Sequence, residues 1–519
     1  MNPERFHGYY WLVLLSLILY VPLILLGGFG TSYDLSLVAH IGSDYWKDLE
    51  YSLSRSGHIS RPIYGIIQTT LLHLFGKSFL LYNICRLALW AVLIYAAHLV
   101  FKKSVGRRNG LLFLFFLSFP IFASSQLFNA MQTGYLLSII FFLLALRSIQ
   151  KENVKWAFRF YFIYFFWSLL ALLACEIVFP LFLFPLLQLW SNSDRRFRNI
   201  LFSTGLVFGL VLILKFVIGP NYQIGNAIYG FSFSMHSFLQ GVYYFFTLFI
   251  ELPLLLFEVI PFYFSEPLLW LSLLVIPLVY WSKSGSSKRL GRSTFINTLI
   301  TIFACSAIFI LSNYPAVTYG LYNKMLLPSH LFVCLALAII CAWLLHSRLY
   351  VIPYVVAVLW FASMEMQVIN SIRSWNKRTE VYADLVPLLD DNTVDYVFVE
   401  VPYFLNSNYN NEPVFSLIED FQGGLILNGY QGMEENIFPF TARMKEDSLY
   451  WPNHNIVNVI RTKKIDNFFC VSASNKAPHY FDTKLRNTNA SEFIVSDDFS
   501  SQKECLREQL RSYISKIFK

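Results

Sequence analysis

The chain is 519 residues long, 56% hydrophobic and only 14% charged, with a mean hydropathy of +0.50. So few charges cannot cover a chain of this size with a water-compatible surface, which excludes a soluble globular enzyme and implies a polytopic membrane protein. The net charge of +8 is what basic cytoplasmic loops supply, and it gives no indication of nucleic-acid binding.

The first apolar run, residues 9–29, is too long for the core of a cleavable signal peptide. It also contains Pro22 and lacks a small-residue cleavage site, so it is expected to stay as the first span. Further runs able to cross about 30 Å of hydrocarbon fall at 79–101, 110–128, 131–147, 157–173, 177–192, 199–219, 262–281, 294–312, 326–345 and 351–370, giving about eleven spans. Lys and Arg collect at 102–108, 151–155, 195–198, 283–292 and 348. All of these loops lie on one side if the N-terminus is cytoplasmic, which puts the loop after the first span and everything beyond residue 371 outside. Residues 235–260 are apolar enough for one more pass, but a pass there would move the 283–292 cluster outside. An interfacial or re-entrant helix, broken at Glu251 and Pro253, is expected instead.

The first outer loop, 30–62, is polar. Residues 43–54 have the spacing of a surface helix capped by Ser43, with Trp46, Leu49 and Leu53 on its apolar side. Arg61-Pro62 opens a second short helix, with Pro where its missing N–H costs least. Its apolar residues are Ile63, Ile66, Ile67, Leu71 and Leu74, and Gly76-Lys77 ends it. At about fourteen residues it is too short to cross and should lie in the interface.

From 376 to 519 the composition turns polar, and apolar residues shorten to strand-like runs at 394–401, 456–460, 468–471 and 493–495, before a last helical pattern at 506–517. A small extracytoplasmic α/β domain is expected there, with a transmembrane module over 1–375. Five of the seven cysteines sit in apolar runs as small buried hydrophobes. Cys470 and Cys505 lie in the tail, where an oxidising compartment could pair them, although spacing alone does not establish a bridge. His40, His58 and His236 lack the spacing of a metal-ligand pair, and no metal site is expected.

Taken together, one span, an acidic outer loop with two juxtamembrane helices and an Arg-Pro turn resemble the GT-C superfamily of polyprenyl-phosphate-sugar-dependent glycosyltransferases. Ala174-Cys175-Glu176-Ile177-Val178-Phe179-Pro180 is similar to that family's acid-then-Pro break between middle spans. Tyr322-Asn323-Lys324-Met325-Leu326-Leu327-Pro328 is similar to its basic-residue-plus-Pro entry to a late span, and Ser374-Trp375-Asn376 fits its hinge into an outer domain. The resemblance covers roughly residues 1–385. Many members carry two adjacent acids in the first loop, whereas here Asp34 stands beside Tyr33 and the next acid is Asp44; this departure speaks against a metal-dependent version, since paired carboxylates are the usual holders of a hard cation.

The resemblance implies transfer of a sugar from a polyprenyl-phosphate-linked donor to a glycan, lipid or protein acceptor, with inversion and without a further cofactor, in a bacterial cytoplasmic membrane. Asp34 would be the general base for the acceptor hydroxyl. Arg61, Lys324 and Lys215 are the cations expected near the donor phosphate, although snorkelling accounts equally well for Lys215 near the end of its span. Asp44 and Glu176 are further candidate substrate-binding residues. Glu176 reads either as an acceptor-binding or cation-orienting acid, or as a hairpin residue meeting water. Two other readings use the same composition: a lipid-linked-glycan polymerase or ligase with 220–262 as its large outer loop, and a flippase or transporter without catalysis.

Overall fold

The structure, a computed structural model, describes residues 7–28, 34–39, 41–54, 61–105, 109–128, 132–150, 157–191, 194, 196–214, 234–283, 292–311, 316, 321–390, 396–399, 418–430, 437–439, 443–445, 448–453, 456–461 and 468–471. Two compact units are present, one formed by residues 1–30 with 41–372 and the other by 31–40 with 373–519. The helices are, in chain order, α1 (His7–Leu26), α2 (Asp34–Ala39), α3 (Tyr45–Ser54), α4 (Pro62–Phe75), α5 (Phe79–Val105), α6 (Asn109–Ser118), α7 (Ser125–Phe128), α8 (Thr133–Ile149), α9 (Ala157–Ala174), α10 (Leu183–Ser191), α11 (Phe197–Ile213), α12 (Met235–Phe246), α13 (Leu252–Glu258), α14 (Ile276–Lys283), α15 (Arg292–Ala304), α16 (Ser306–Ile310), α17 (Leu327–Leu345), α18 (Val351–Asp390) and α19 (Ile418–Leu427).

The first unit is a helical, membrane-type bundle. Among the described residues, six helical runs are long and apolar enough to cross a membrane: Gly8–Leu26, Phe79–Lys102, Ser237–Phe264, Ser293–Ile310, Asn323–Leu345 and Val351–Asn376. Five apolar helices are shorter, at Thr133–Ile149, Phe160–Ala174, Glu176–Ser191, Phe197–Ile213 and Pro267–Ser282.

The expected span at 110–128 is not one helix. α6 stops at Ser118, the chain bends through Pro120, and α7 resumes at Ser125, with residues 110–128 buried throughout. Pro120 has no N–H to continue the ladder, so the last carbonyls of α6 need partners from elsewhere. They find them on four other helices. The Tyr20 hydroxyl and Trp90 Nε1 (3.2 Å) donate to the Ser118 carbonyl. Trp360 Nε1 donates to Phe119 O at 2.7 Å, and Gln367 Nε2 to Ile121 O at 2.6 Å. The buried His330, packed between Trp90 and Trp360, bonds to the Leu117 backbone. A broken helix is tolerated inside a bundle when neighbouring side chains re-satisfy its backbone in this way.

α4 begins at Pro62 and ends at Gly76, whose φ of +51° closes the helix. The face it buries is the more polar one. Tyr64, Gly65, Gln68, Thr69 and Leu72 turn inward, while Ile66 and Leu74 are exposed. Lipid tails are as apolar as a protein core, so the polar residues gain most by facing the bundle. α3 is capped not by Ser43 but by Asp44, whose Oδ1 accepts from Trp46 N (3.0 Å) and Lys47 N (3.3 Å). Asp48 ties α3 to α4 through His73 Nε2 at 2.9 Å. The helical run over 235–258 is not broken at Glu251 and Pro253, because a π turn at Thr247–Glu251 carries it past the proline. Tyr244 of this run bonds to Ile302 O and Ser329 Oγ, both at 2.8 Å, and Thr247 donates to Ala316 O at 2.6 Å.

In the second unit, α2 packs on α19, and the Tyr382 ring lies so close to Gly424 that a Cβ there would stand 2.1 Å from Cζ. β1 (Tyr396–Val399) pairs in parallel with β2 (Ile437–Pro439) and β6 (Phe468–Val471). β3 (Arg443–Lys445), β4 (Ser448–Asn453) and β5 (Ile456–Arg461) form an antiparallel sheet. The expected strand at 493–495, the helix at 506–517 and Cys505 lie outside the described residues.

Candidate functional site

Four segments of the first unit converge at the start of α8. Arg61 directly precedes α4. Glu176 opens a 3-10 turn, Glu176–Phe182, after the extended Cys175 has ended α9. Tyr135 lies in the first turn of α8, and Lys324 belongs to a 3-10 turn, Leu321–Leu326, that leads into α17 with Pro328 in its opening residues.

Arg61 grips Glu176 with two parallel bonds, Nε to Oε2 at 2.5 Å and Nη2 to Oε1 at 2.6 Å. This fork geometry is the strongest form of carboxylate pairing. The side chains are 10% and 21% exposed, so the charges neutralise each other largely out of water. Burial works against the Arg61 charge, but the Glu176 carboxylate outweighs it and holds the guanidinium well above its ordinary value. The remaining nitrogen, Nη1, donates to the Tyr135 hydroxyl at 3.5 Å. Lys324 Nζ stands over the face of the same Tyr135 ring, 5.2 Å from its centroid, within the range of a cation–π contact. Tyr135 therefore touches both cations, one at its hydroxyl and one at its face.

The ring is positioned by close packing. Tyr64 of α4 meets Tyr135 edge-on, with centroids 5.9 Å apart. It also covers Gly134, where a Cβ would stand 1.9 Å from Tyr64 Cδ2. On the other side, Asn323 is fully buried; its Oδ1 accepts from Ser125 N at 3.0 Å and its Nδ2 donates to Ser124 Oγ at 3.2 Å. Burial pushes the Cys175 thiol up to about 11, so this neighbour of Glu176 stays protonated and is no nucleophile at neutral pH.

Of the residues singled out from sequence, the fold brings together Arg61, Glu176 and Lys324. Asp34 is the first residue of α2, in the second unit. Asp44 is exposed and spends its carboxylate on α3, including a 3.7 Å ion pair with Lys47. Lys215 lies outside the described residues. Sequence reasoning missed Tyr135 and Asn323, which carry no local signal among so many aromatic and polar residues. It also passed over two ionisable groups inside spans that hydropathy should have flagged. Arg86 is 1% exposed and donates to Asn83, whose Nδ2 bonds to the carbonyls of Gly27 (2.9 Å) and Leu23 (3.3 Å) at the end of α1. Glu365 is 6% exposed, and its Oε2 has no hydrogen-bond partner among the described residues. Among the described residues there is no group of three or more His, Cys, Asp or Glu able to hold a metal ion.

No protein-family model matches this chain, and no curated protein matches it. Two solved structures are similar to it. The crystal structure of ArnT from Cupriavidus metallidurans bound to undecaprenyl phosphate has a TM-score of 0.42 at 13% identity, covering 83% of this chain and 89% of that one. The apo state of the same protein has a TM-score of 0.39 at 13% identity, covering 83% and 88%.

Proposed function

We propose that this chain is a membrane glycosyltransferase of the GT-C type, moving a sugar from a polyprenyl-phosphate-linked donor to an acceptor hydroxyl with inversion at the anomeric carbon. The observation that carries the reading is the meeting of Arg61 and Lys324 on Tyr135 at one end of an apolar bundle. A lipid phosphate needs hydrocarbon for its chain and fixed cations for its headgroup, and this end of the bundle offers both. Glu176 takes two nitrogens of Arg61 and fixes its direction, and the third reaches the Tyr135 hydroxyl. Lys324 meets Tyr135 through the ring face, and its ammonium is the group this reading assigns to a phosphate oxygen.

In the proposed reaction, Asp34 takes the proton of the acceptor hydroxyl as its oxygen forms a bond to C1 of the sugar. The bond from C1 to the phosphate oxygen breaks, and its electron pair leaves on the polyprenyl phosphate. Lys324 and Arg61 stabilise that developing charge, with Lys215 as a further cation for it, and no acid is needed for the leaving group. Asp44, at the start of α3, is a rim residue for the acceptor in this reading. The N-terminus lies in the cytoplasm, and the second unit, with Asp34, acts on the extracytoplasmic face.

The test is transfer from a polyprenyl-phosphate sugar in reconstituted membranes. Asp34→Asn keeps the side chain's shape but cannot take a proton, and should lower the rate by about 10²–10⁴-fold, while Asp48→Asn stays active. An active Asp34→Asn enzyme removes the first loop's acid from the mechanism.

A further inference from the structure

Asn323 and Lys324 are adjacent on a 3-10 turn, in which successive side chains point about 120° apart. Fixing the direction of one therefore fixes the other. Asn323 is fixed from both ends of its amide: Oδ1 holds the Ser125 N–H at 3.0 Å and Nδ2 reaches Ser124 Oγ at 3.2 Å, all in buried surroundings. Ser124 and Ser125 are the end of the bend that interrupts α6 and α7, and that bend is itself held by donors from Trp90, Trp360 and Gln367. Lys324 then turns the other way, onto the Tyr135 ring 5.2 Å from its centroid. An isolated lysine has four rotatable bonds and no preferred direction; this one stands on a backbone anchored one residue earlier.

We propose that Asn323 is a positioning residue that sets Lys324 for a lipid phosphate by clamping its 3-10 turn to the broken helix. The inference rests on the phosphate role proposed for Lys324 and adds the device that aims it. The Asn323 amide is buried on Ser124 and Ser125, so in this proposal its effect on binding passes through Lys324, and this separates positioning from plain structural support.

The experiment is a double-mutant cycle read by binding of undecaprenyl phosphate to the full-length protein in nanodiscs, with thermal unfolding recorded in parallel. Asn323→Leu is expected to weaken binding about tenfold in the wild-type background and to have no further effect in Lys324→Ala, because contacting residues couple rather than add. Ser124→Ala removes one of the two bonds and should give a smaller loss with the same dependence on Lys324, which keeps the test decisive if Asn323→Leu does not fold. Equal losses in both backgrounds would overturn the inference and make Asn323 a structural residue. Undiminished binding by Asn323→Leu beside a weakened Lys324→Ala would also overturn it, leaving the phosphate site standing. Undiminished binding by Lys324→Ala would remove the phosphate site and the inference together.

Discussion

Two buried polar regions of the first unit solve different problems. At the α6–α7 bend, the polar groups are neutral: backbone carbonyls left over by a broken helix, each met by an indole, amide, imidazole or hydroxyl donor. At the start of α8 the groups are ionic, with Arg61 locked to Glu176 and Lys324 resting on Tyr135. The first region uses these donors to complete the backbone. The second brings two cations, one carboxylate and one aromatic ring together among the described residues, the groups proposed above for an anionic ligand.

The comparison breaks most sharply at Glu176. Glu176→Gln leaves the Arg61 guanidinium buried without its counter-charge and should cost about 3–5 kcal/mol of stability, seen as a large fall in thermal unfolding temperature in detergent. The double replacement Arg61→Met with Glu176→Gln should recover most of that loss, because an apolar group needs no partner. At the bend, Trp360→Phe removes one of two donors to the Phe119 carbonyl, which keeps the Ile121 N–H at 3.0 Å, for about 1.5 kcal/mol, and should leave lipid-phosphate binding unchanged in the folded fraction. Tyr135→Phe is the mildest and the most discriminating. It keeps the ring face beneath Lys324 and, among the described residues, loses the long bond from Arg61, so about 0.5–1.5 kcal/mol of stability is expected, with binding retained. Tyr135→Leu, which removes the face as well, should weaken binding where Tyr135→Phe does not.

What could be read from the sequence follows the range of the interactions. The start of α4 at Arg61-Pro62 and its stop at Gly76 are local rules and hold in the structure. The Glu176 and Lys324 turns were visible because Pro180 and Pro328 punctuate apolar runs nearby. The inward face of α4 was not legible, since periodicity identifies an apolar stripe but not whether protein or lipid covers it. The span at 110–128 was read as continuous because its capping donors come from residues as distant as Trp360 and Gln367, and hydropathy averages over Pro120. Tyr135 and Asn323 stayed hidden for a similar reason: one gains its meaning from Arg61 and Lys324, the other from Ser124 and Ser125, and neither pairing has a sequence signature. Arg86 and Glu365 were legible as ionisable groups in apolar runs.

The central claim is that the cation pair on Tyr135 receives a lipid phosphate, and the most direct measurement is equilibrium binding of undecaprenyl phosphate to wild type, Lys324→Ala and Lys324→Arg in nanodiscs at two salt concentrations. Loss of a charge-assisted contact worth about 1.5–3 kcal/mol should weaken Lys324→Ala binding by about ten- to a hundredfold, with Lys324→Arg in between and the salt dependence reduced in the alanine variant. Equal affinity for all three proteins, at either salt concentration, would contradict the account.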